Sequence, residues 1–372
     1  MPPAPLNPNM KNRIYACLIV CLLLPFSAIF CSHSPESPLE TRATDLLTAT
    51  PAQQSLDQEK MAEAARQAAA LPDLASLLIL RNGYIVSEQY FHGSGQSTAF
   101  NVKSVSKSFL SALIGIAIRE GKIGSPEQKI ADFLPDYLGQ PADPRKKEIT
   151  IGHLLTMTAG FEWLENGPVV QDWVSSPDWI KFIFNLPQVS DPGRSFNYST
   201  AGTHLLSAVI SRSTKMSALE YANKSLFPRL GISGARWDTD PQGYCFGGAE
   251  LYLTARDLGK FGLLYLNRGS AAGEQIVSED WVRESTRRQV EVGGDPLKEG
   301  YGYLWWIRQY YGVYVYYAAG AGGQFIFCAP DLNMVVVSTS ILANSSDQSR
   351  VFQHYISMLK LLDQQILPAA AR

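Results

Sequence analysis

Ser104 and Lys107 are the residues whose types and spacing most directly suggest chemistry. They lie three residues apart in the sequence Ser-Val-Ser-Lys. The apolar run from Phe109 to Ile118 that follows predicts a helix. Residues three apart share a helix face, so the hydroxyl and the amine would be neighbours. Burial disfavours the charged form of lysine and makes its amine a base near neutral pH. Because a serine hydroxyl needs such a base in order to attack, the pair predicts nucleophilic catalysis.

A second serine and lysine with the same spacing, Ser357 and Lys360, lie in an amphipathic run from Ser346 to Ile366. Ser104 instead follows a strand-rich segment and starts its helix, where free N–H groups favour a developing oxyanion. We therefore interpret Lys360 as a solvated surface charge and Ser104 as the nucleophile.

Two further groups of residues point to a site. Tyr198 lies in the run from Pro192 to Thr200 at a predicted junction of loop and helix, where its phenol could point into a cleft or simply pack. The run from Gly320 to Gln324 lies between two apolar strand segments, where glycines admit a substrate backbone or form a turn, and the turn is favoured for the glycines alone. We interpret Tyr221-Ala222-Asn223, in a helical stretch, as a coincidental tyrosine motif.

The elements that must position these residues come from both ends of the chain. The run from Gln58 to Ala70 predicts a helix, and Leu74 to Leu80 and Tyr84 to Phe91 predict a hairpin across Asn82-Gly83. The segment from Ser104 to about Gly231 is mainly helical, and a final helix follows the last strands. The predicted late strands are Tyr303 to Gln309, Tyr314 to Ala318, Gln324 to Cys328 and Met334 to Thr339.

This order predicts an α+β fold in which an antiparallel sheet, flanked by helices, is built from both chain ends around an inserted, mostly helical domain. We expect one domain over residues 55–372, with a sheet part at about 55–103 and 240–372 and a helical part at about 104–239. A cleft between the two parts is the natural active site.

Composition and spacing exclude several rival classes. The chain has 372 residues and a formal net charge of −2, which argues against nucleic-acid binding. No Gly-x-Ser-x-Gly nucleophile elbow and no metal-ligand spacing occur, so we expect neither an α/β-hydrolase triad nor a metal site, and no cofactor. His33 is beside the amino-terminal apolar run and His92 near a strand end, whereas His153, His204 and His354 fall in apolar helical patterns and are interpreted as packed or partly exposed side chains.

The amino terminus predicts export. Lys11 and Arg13 precede an apolar run from Ile14 to Cys31, the pattern of a signal peptide over residues 1–35, or of an uncleaved membrane tether that would be the chain's only membrane contact. Residues 36–54 are interpreted as a linker. Location in the periplasm or cell envelope is therefore expected. Cys245 and Cys328 remain in the mature chain, and Cys328 is expected to be a buried thiol.

Together these residues resemble the serine β-lactamase and penicillin-binding protein superfamily, in its class C-like branch of esterases and 6-aminohexanoate-dimer hydrolases. The resemblance spans Leu74 to Ile366. Its motifs are NVKSVSKS from Asn101 to Ser108, ITIGHLLTMT from Ile149 to Thr158 and LYLTARDL from Leu251 to Leu258.

The resemblance implies roles for particular residues. Ser104 would be acylated, Lys107 would exchange its proton, and Tyr198 would pass a proton to the leaving group and help activate water. The backbone N–H groups of Ser104 and Gly323 would hold the oxyanion. Residues Gly320, Ala321, Gly322 and Thr200 would contact substrate.

Two departures from the family pattern bear on the substrate. Thr200 stands where many members have asparagine, and Gly320-Ala321-Gly322 stands where many have Lys-Thr-Gly or His-x-Gly. The missing cation weakens recognition of a substrate carboxylate, so a small ester or amide is the expected substrate. The alternatives are a β-lactamase or D,D-peptidase acting on cell-wall-type substrates, and a catalytically weak binding protein of the same fold.

Overall fold

The computed structural model describes residues 46–138, 143–293, 299–310 and 312–370. The predicted signal segment and the first part of the predicted linker lie outside the described residues. The end of that linker joins the fold, because Ala49 N–H donates to Ile85 O at 2.9 Å and Ile85 N–H donates to Leu47 O at 2.8 Å.

Helices and strands fall largely in separate runs along the chain, as in an α+β architecture. The α-helices are α1 (Gln58–Ala69), α2 (Ser106–Arg119), α3 (Pro135–Leu138), α4 (Ile151–Leu155), α5 (Pro168–Ser175), α6 (Trp179–Asn185), α7 (Thr200–Thr214), α8 (Ala218–Ser225), α9 (Ala255–Leu266), α10 (Glu279–Thr286), α11 (Gln348–Leu361) and α12 (Leu367–Ala370). The strands are β1 (Leu74–Arg81), β2 (Tyr84–Tyr90), β3 (Ala99–Asn101), β4 (Arg236–Trp237), β5 (Leu251–Thr254), β6 (Ser270–Ala271), β7 (Glu274–Gln275), β8 (Val290–Glu291), β9 (Gly300–Tyr301), β10 (Trp306–Tyr310), β11 (Val313–Gly320), β12 (Gln324–Ala329) and β13 (Met334–Ser340).

The main sheet joins the two ends of the chain. Its strand order is β2-β1-β13-β12-β11-β10-β9-β8, and every neighbouring pair is antiparallel. The early hairpin pairs with the last strand, with Leu77 opposite Ser338. The predicted α+β fold, with its antiparallel sheet built from both chain ends, is therefore confirmed.

The β1–β2 hairpin turns at the two residues that the sequence indicates. Asn82 has φ 50° and Gly83 has φ 82°, so both adopt the left-handed conformation of a two-residue hairpin turn. Asparagine and glycine are the residue types that tolerate this conformation, which explains why the chain reverses here.

Strand β1 shows how the sheet separates two cores. Leu78 and Leu80 pack into one core, which also contains α2, α7 and α9, whereas Leu77 and Ile79 pack into a second core under α1, α11 and α12. Successive side chains of a strand point to opposite faces, so a run of leucine and isoleucine with no polar interruption identifies a sheet covered on both sides.

Helix α2 runs through the larger core. All residues from Ser106 to Ala117 are buried, and the Phe109 ring stacks on Phe261 of α9 with centroids 3.7 Å apart. A helix that is apolar on every face must lie inside the protein. This burial fixes the position of the serine and lysine at its beginning.

The structure moves the start of one predicted strand by three residues. The strand predicted over Tyr303 to Gln309 begins only at Trp306, because Leu304 has φ 64° and its N–H donates to Leu155 O, which interrupts the extended chain. The predicted amphipathic run from Ser346 to Ile366 contains α11 followed by a π-helical turn, Leu362–Ile366.

Neither cysteine of the described chain forms a disulfide: Cys245 and Cys328 are both buried and free. Among the described residues, no helix combines the length and apolar character needed to cross a membrane.

Candidate active site

Ser104 and Lys107 lie together as the sequence predicts. Ser104 belongs to a 3₁₀ turn, Lys103–Val105, that leads into α2, and Lys107 Nζ lies 2.8 Å from Ser104 Oγ. The lysine is only 1% exposed, whereas the serine is partly exposed. Burial lowers the pKa of Lys107 to about 8, and the nearby negative charge of Glu165 partly opposes that shift. The amine can therefore lose its proton near neutral pH.

Two further oxygens hold the amine. Lys107 Nζ lies 2.8 Å from Gly248 O and 3.0 Å from Thr200 Oγ1. A Cβ atom on Gly248 would lie 2.5 Å from Thr200 Cγ2 and 3.1 Å from the amine, so only glycine lets this loop approach so closely. Gly248 was not predicted from the sequence, although the pair Gly247-Gly248 is a signal of close backbone approach.

A buried histidine fixes the loop that carries Gly248. His204 in α7 has Nε2 at 2.9 Å from Asp240 Oδ2, and its Nδ1 accepts the Gly247 N–H at 3.3 Å. Because Nδ1 accepts, the ring proton lies on Nε2 and points to the carboxylate. His204, which was predicted to be a packed side chain, therefore holds the loop that carries Gly248 in place beside the site.

Tyr198 lies next to the serine and lysine. Lys107 Nζ is 5.0 Å from its ring centroid, and its phenol lies near the Ser104 hydroxyl. The ring stacks on Trp306 of β10 with centroids 5.6 Å apart. Burial and the negative charge of Glu165 raise the pKa of Tyr198 well above its ordinary value. The phenol therefore remains protonated at working pH and can donate a proton or a hydrogen bond.

The segment before α7 connects Tyr198 to a second loop. Asn197 N–H donates to Met157 O at 2.8 Å, and its side-chain amide donates to Phe161 O and Trp163 O at 3.3 and 3.0 Å. These bonds place Glu165 of that loop against the beginning of α7. Glu165 is the acidic residue that the sequence analysis missed, since it belongs to no motif and lies far in sequence from its partners.

Thr200 links Lys107 to Glu165 through hydrogen bonds. Its hydroxyl donates to Glu165 Oε1 and accepts from the Lys107 amine, and its own N–H donates to Glu165 Oε2 at 2.9 Å. The residue is 8% exposed. The predicted contact of Thr200 with substrate stays a prediction. The partners that the structure shows for its hydroxyl are Glu165 and Lys107.

A polar network holds the residue before the nucleophile. Lys103 has φ 50°, a conformation that is costly for lysine. Its N–H donates to Asn101 Oδ1 at 3.0 Å, its Nζ pairs with Glu250 Oε1 at 2.7 Å, and the Asn101 amide donates to Glu250 Oε2 at 2.6 Å. Glu250 thereby secures the strained turn that presents Ser104.

The glycine run forms the turn between β11 and β12. Gly320 pairs with Gln324, and Gly322 and Gly323 have φ 83° and 89°, so backbone conformation alone requires glycine there. A Cβ atom on Gly320 would lie 2.4 Å from Val102 O, which shows how closely the turn approaches the nucleophile segment. The Gly323 N–H donates to Gly320 O at 3.2 Å within the turn, and its predicted role as an oxyanion donor stays a prediction.

The second serine–lysine pair, Ser357 and Lys360, and the second tyrosine motif, at Tyr221, make contacts outside the candidate active site. Ser357 Oγ donates to Gln353 O inside α11, and Lys360 is exposed. The hydroxyl of Tyr221 donates to Glu120 at the end of α2 at 3.1 Å. Both interpretations made from the sequence agree with these contacts.

The acylation rate should depend on the protonation of Lys107. Only the neutral amine can accept the serine proton, so we expect kcat/KM for a p-nitrophenyl ester to rise with pH through a midpoint near the pKa of about 8. Below it, the rate should fall about tenfold per pH unit, because the neutral fraction does so. Tyr198 remains protonated and should not remove activity at moderately alkaline pH. A rate that is flat or falling between about pH 7 and about pH 9 would contradict this assignment.

Comparison with known proteins agrees with this geometry. The Beta-lactamase family model matches residues 54–355, and a buried lysine amine 2.8 Å from a serine hydroxyl at the entry to a helix is an arrangement that fits a serine hydrolase. The chain belongs to the beta-lactamase family of serine hydrolases.

Individual relatives show how far the similarity extends. The chain is 26% identical over 236 residues to a 6-aminohexanoate-dimer hydrolase of Paenarthrobacter ureafaciens, a match that covers 58% of this chain and 60% of that enzyme. A Bacillus anthracis structure that provisionally bears the same name has a TM-score of 0.67 at 22% identity, covering 86% of this chain and 88% of its own. A penicillin-binding protein of Bacillus halodurans has a TM-score of 0.63 at 20% identity, covering 79% and 99%. At these identities the structures establish a shared fold.

Proposed function

We propose that this protein hydrolyses a small ester or amide through a covalent acyl-enzyme on Ser104. The observation that carries the proposal is the 2.8 Å separation between Ser104 Oγ and Lys107 Nζ, since the buried lysine has its pKa lowered to about 8. A neutral amine at that distance is positioned to take the proton of a partly exposed hydroxyl.

The reaction proceeds in two half-steps. Ser104 Oγ attacks the carbonyl carbon of the substrate while its proton passes to Lys107 Nζ. The bond to the leaving group then breaks, and the leaving alcohol or amine receives a proton through the phenol of Tyr198. Water attacks the resulting ester, the acid product departs, and Ser104 recovers its hydroxyl.

The charges around Ser104 support the proposed substrate class. The turn at Gly320 carries no cation, and the nearby amine of Lys103 is paired with Glu250 at 2.7 Å. A substrate carboxylate would therefore lack the strong charged partner that a free lysine provides. Esters and small uncharged amides are favoured over cell-wall termini and β-lactams. The hydrolase of P. ureafaciens is named for an amide substrate, which supports amides as one class to test.

The test is covalent labelling followed by turnover. Wild-type protein treated with a fluorophosphonate should gain one adduct, located on Ser104 by peptide mass, and Ser104→Ala should gain none. Ser357→Ala is the matched control because it alters the other serine of the same spacing, and it should label like wild type. No adduct on wild-type protein with any acylating probe would overturn the proposal.

A substrate panel then ranks the substrates. Short p-nitrophenyl esters and small anilides should be hydrolysed faster than nitrocefin. Faster hydrolysis of nitrocefin would overturn the ranking and would support a β-lactamase instead.

We also propose that the protein is exported through its amino-terminal segment. The support is the predicted signal pattern, with Lys11 and Arg13 before the apolar run. Fractionation of cells expressing the full chain should recover it outside the cytoplasm, and a chain lacking residues 1–35 should remain inside.

A further inference from the structure

The Lys107 amine has three oxygen neighbours and must use its lone pair on one of them. They are Ser104 Oγ at 2.8 Å, Gly248 O at 2.8 Å and Thr200 Oγ1 at 3.0 Å. A neutral amine has two N–H groups and one lone pair, and a carbonyl oxygen only accepts. Gly248 therefore takes one N–H, and the direction of the Thr200 hydroxyl decides the rest.

The Thr200 hydroxyl can act on the amine in two ways. If it accepts the second N–H, the lone pair faces Ser104 and can take the serine proton. If it donates its own proton to the amine, the lone pair is occupied and Ser104 loses its base. The direction of the hydrogen bond between Thr200 and Lys107 thus decides whether the amine can accept the proton of Ser104.

Glu165 fixes the direction of this hydrogen bond in the structure. Its Oε1 accepts the Thr200 O–H, while its Oε2 accepts the Thr200 N–H at 2.9 Å and the Trp163 Nε1–H at 2.6 Å. An ionised carboxylate only accepts hydrogen bonds. The hydroxyl proton of Thr200 therefore points to Glu165, and its lone pairs point to Lys107.

We propose that Glu165 is a positioning residue that holds the Thr200 hydroxyl as an acceptor toward Lys107 and so reserves the amine lone pair for Ser104. This inference rests on the proposed function of Ser104 and Lys107. It assigns a task to the threonine that stands where many relatives have asparagine. A threonine hydroxyl can reverse its polarity by rotation, so it needs a fixed acceptor on its other side.

Glutamine at position 165 should reverse the arrangement with almost no change of shape. Two N–H donors meet at the position of Oε2, so the amide oxygen of glutamine must lie there. Its NH₂ group then lies where Oε1 was and donates to Thr200 Oγ1. The Thr200 proton is displaced toward Lys107, and the lone pair of the amine is lost to Ser104.

A double-mutant cycle tests this directly. The variants are Glu165→Gln, Thr200→Val and the double variant, and the readout is the second-order rate of fluorophosphonate labelling of Ser104 above about pH 8.5, where most of the amine is neutral. Glu165→Gln should slow labelling at least about tenfold when Thr200 is present and less than about threefold when valine replaces it, because valine has no hydroxyl to reverse.

A pH profile supplies a second readout. In the described part of the chain, the titratable groups facing the Lys107 amine are Glu165, Ser104 and the phenol of Tyr198. The charge of Glu165 raises the pKa of Lys107. In Glu165→Gln, with or without Thr200→Val, the acid limb, which is the fall of the labelling rate at low pH, should therefore move to lower pH. This shift tests whether the Glu165 charge acts on Lys107, and the double-mutant cycle tests whether it acts through the Thr200 hydroxyl.

Glu162→Gln is the matched control, since Glu162 is exposed on the same loop and loses the same charge. It should label within about twofold of wild type, with an unmoved acid limb. Thr200→Ala serves as the hydroxyl-free background if the valine variant does not fold. Equal losses for Glu165→Gln with and without the hydroxyl, or no loss at all, would overturn the inference while leaving the proposed function intact. Failure of wild-type labelling would overturn both.

Discussion

Replacing Lys107 by methionine is expected to slow acylation of Ser104 by about a thousandfold, within the range ascribed to a positioned general base. Methionine matches the length and apolar packing of the lysine stem, so the buried site should remain filled. What disappears is the amine 2.8 Å from Ser104 Oγ. The measurement is the burst rate of p-nitrophenol release on mixing enzyme with a p-nitrophenyl ester.

Lys146 offers a matched control for this experiment. It is also buried, at 3% exposure, and its Nζ donates to Phe184 O and Leu186 O, both at 2.7 Å. Lys146→Met should lower the thermal midpoint, because two carbonyl groups lose their donor. The fraction that stays folded should still acylate at the wild-type rate. If Lys107→Met retained more than about a tenth of that rate, Lys107 would not be the base.

Replacing Tyr198 by phenylalanine should reduce turnover in a manner that depends on the leaving group. The ring keeps its stack on Trp306, and only the hydroxyl beside Ser104 is lost. Because Tyr198 has its pKa raised, its phenol is a proton donor, and an amine leaving group needs that proton whereas p-nitrophenolate does not. We expect about a hundredfold loss of kcat/KM with an anilide and less than about tenfold with a p-nitrophenyl ester.

Tyr221→Phe is the control for the tyrosine experiment. Tyr221 donates to Glu120 at 3.1 Å, and its loss should lower stability by about 1 kcal/mol without changing the anilide-to-ester ratio. Equal losses of anilide and ester turnover in Tyr198→Phe would show that the phenol positions substrate and does not deliver the proton.

The two buried lysines show why burial alone does not make a base. Lys146 has its pKa lowered by burial, but its amine donates to two backbone carbonyls, which cannot give up a proton. Lys107 faces a hydroxyl on one side and a hydroxyl fixed by a carboxylate on another. The difference in chemistry comes from the partners that the fold brings to each amine.

Local signals were sufficient for much of the fold. The apolar run before the Asn82-Gly83 turn identified the first hairpin, and the bounds of β12 and β13 lie within a residue of those predicted. The start of β10 was predicted three residues too early, since the left-handed Leu304 is held by a hydrogen bond to Leu155, about 150 positions away in the chain. No local pattern reveals such a constraint.

The sequence by itself predicted the nucleophile and its base, because Ser104 and Lys107 stand three residues apart at the start of an apolar helix, a spacing that brings their side chains close together. It also predicted the long strands of the sheet, through their apolar runs bounded by turn residues. Only the tertiary structure decided how the amine is held. Thr200, Glu165 and Gly248 lie on segments that meet by packing of distant parts of the chain. Hydrogen bonds between such segments depend on positions in space, which spacing along the chain does not encode.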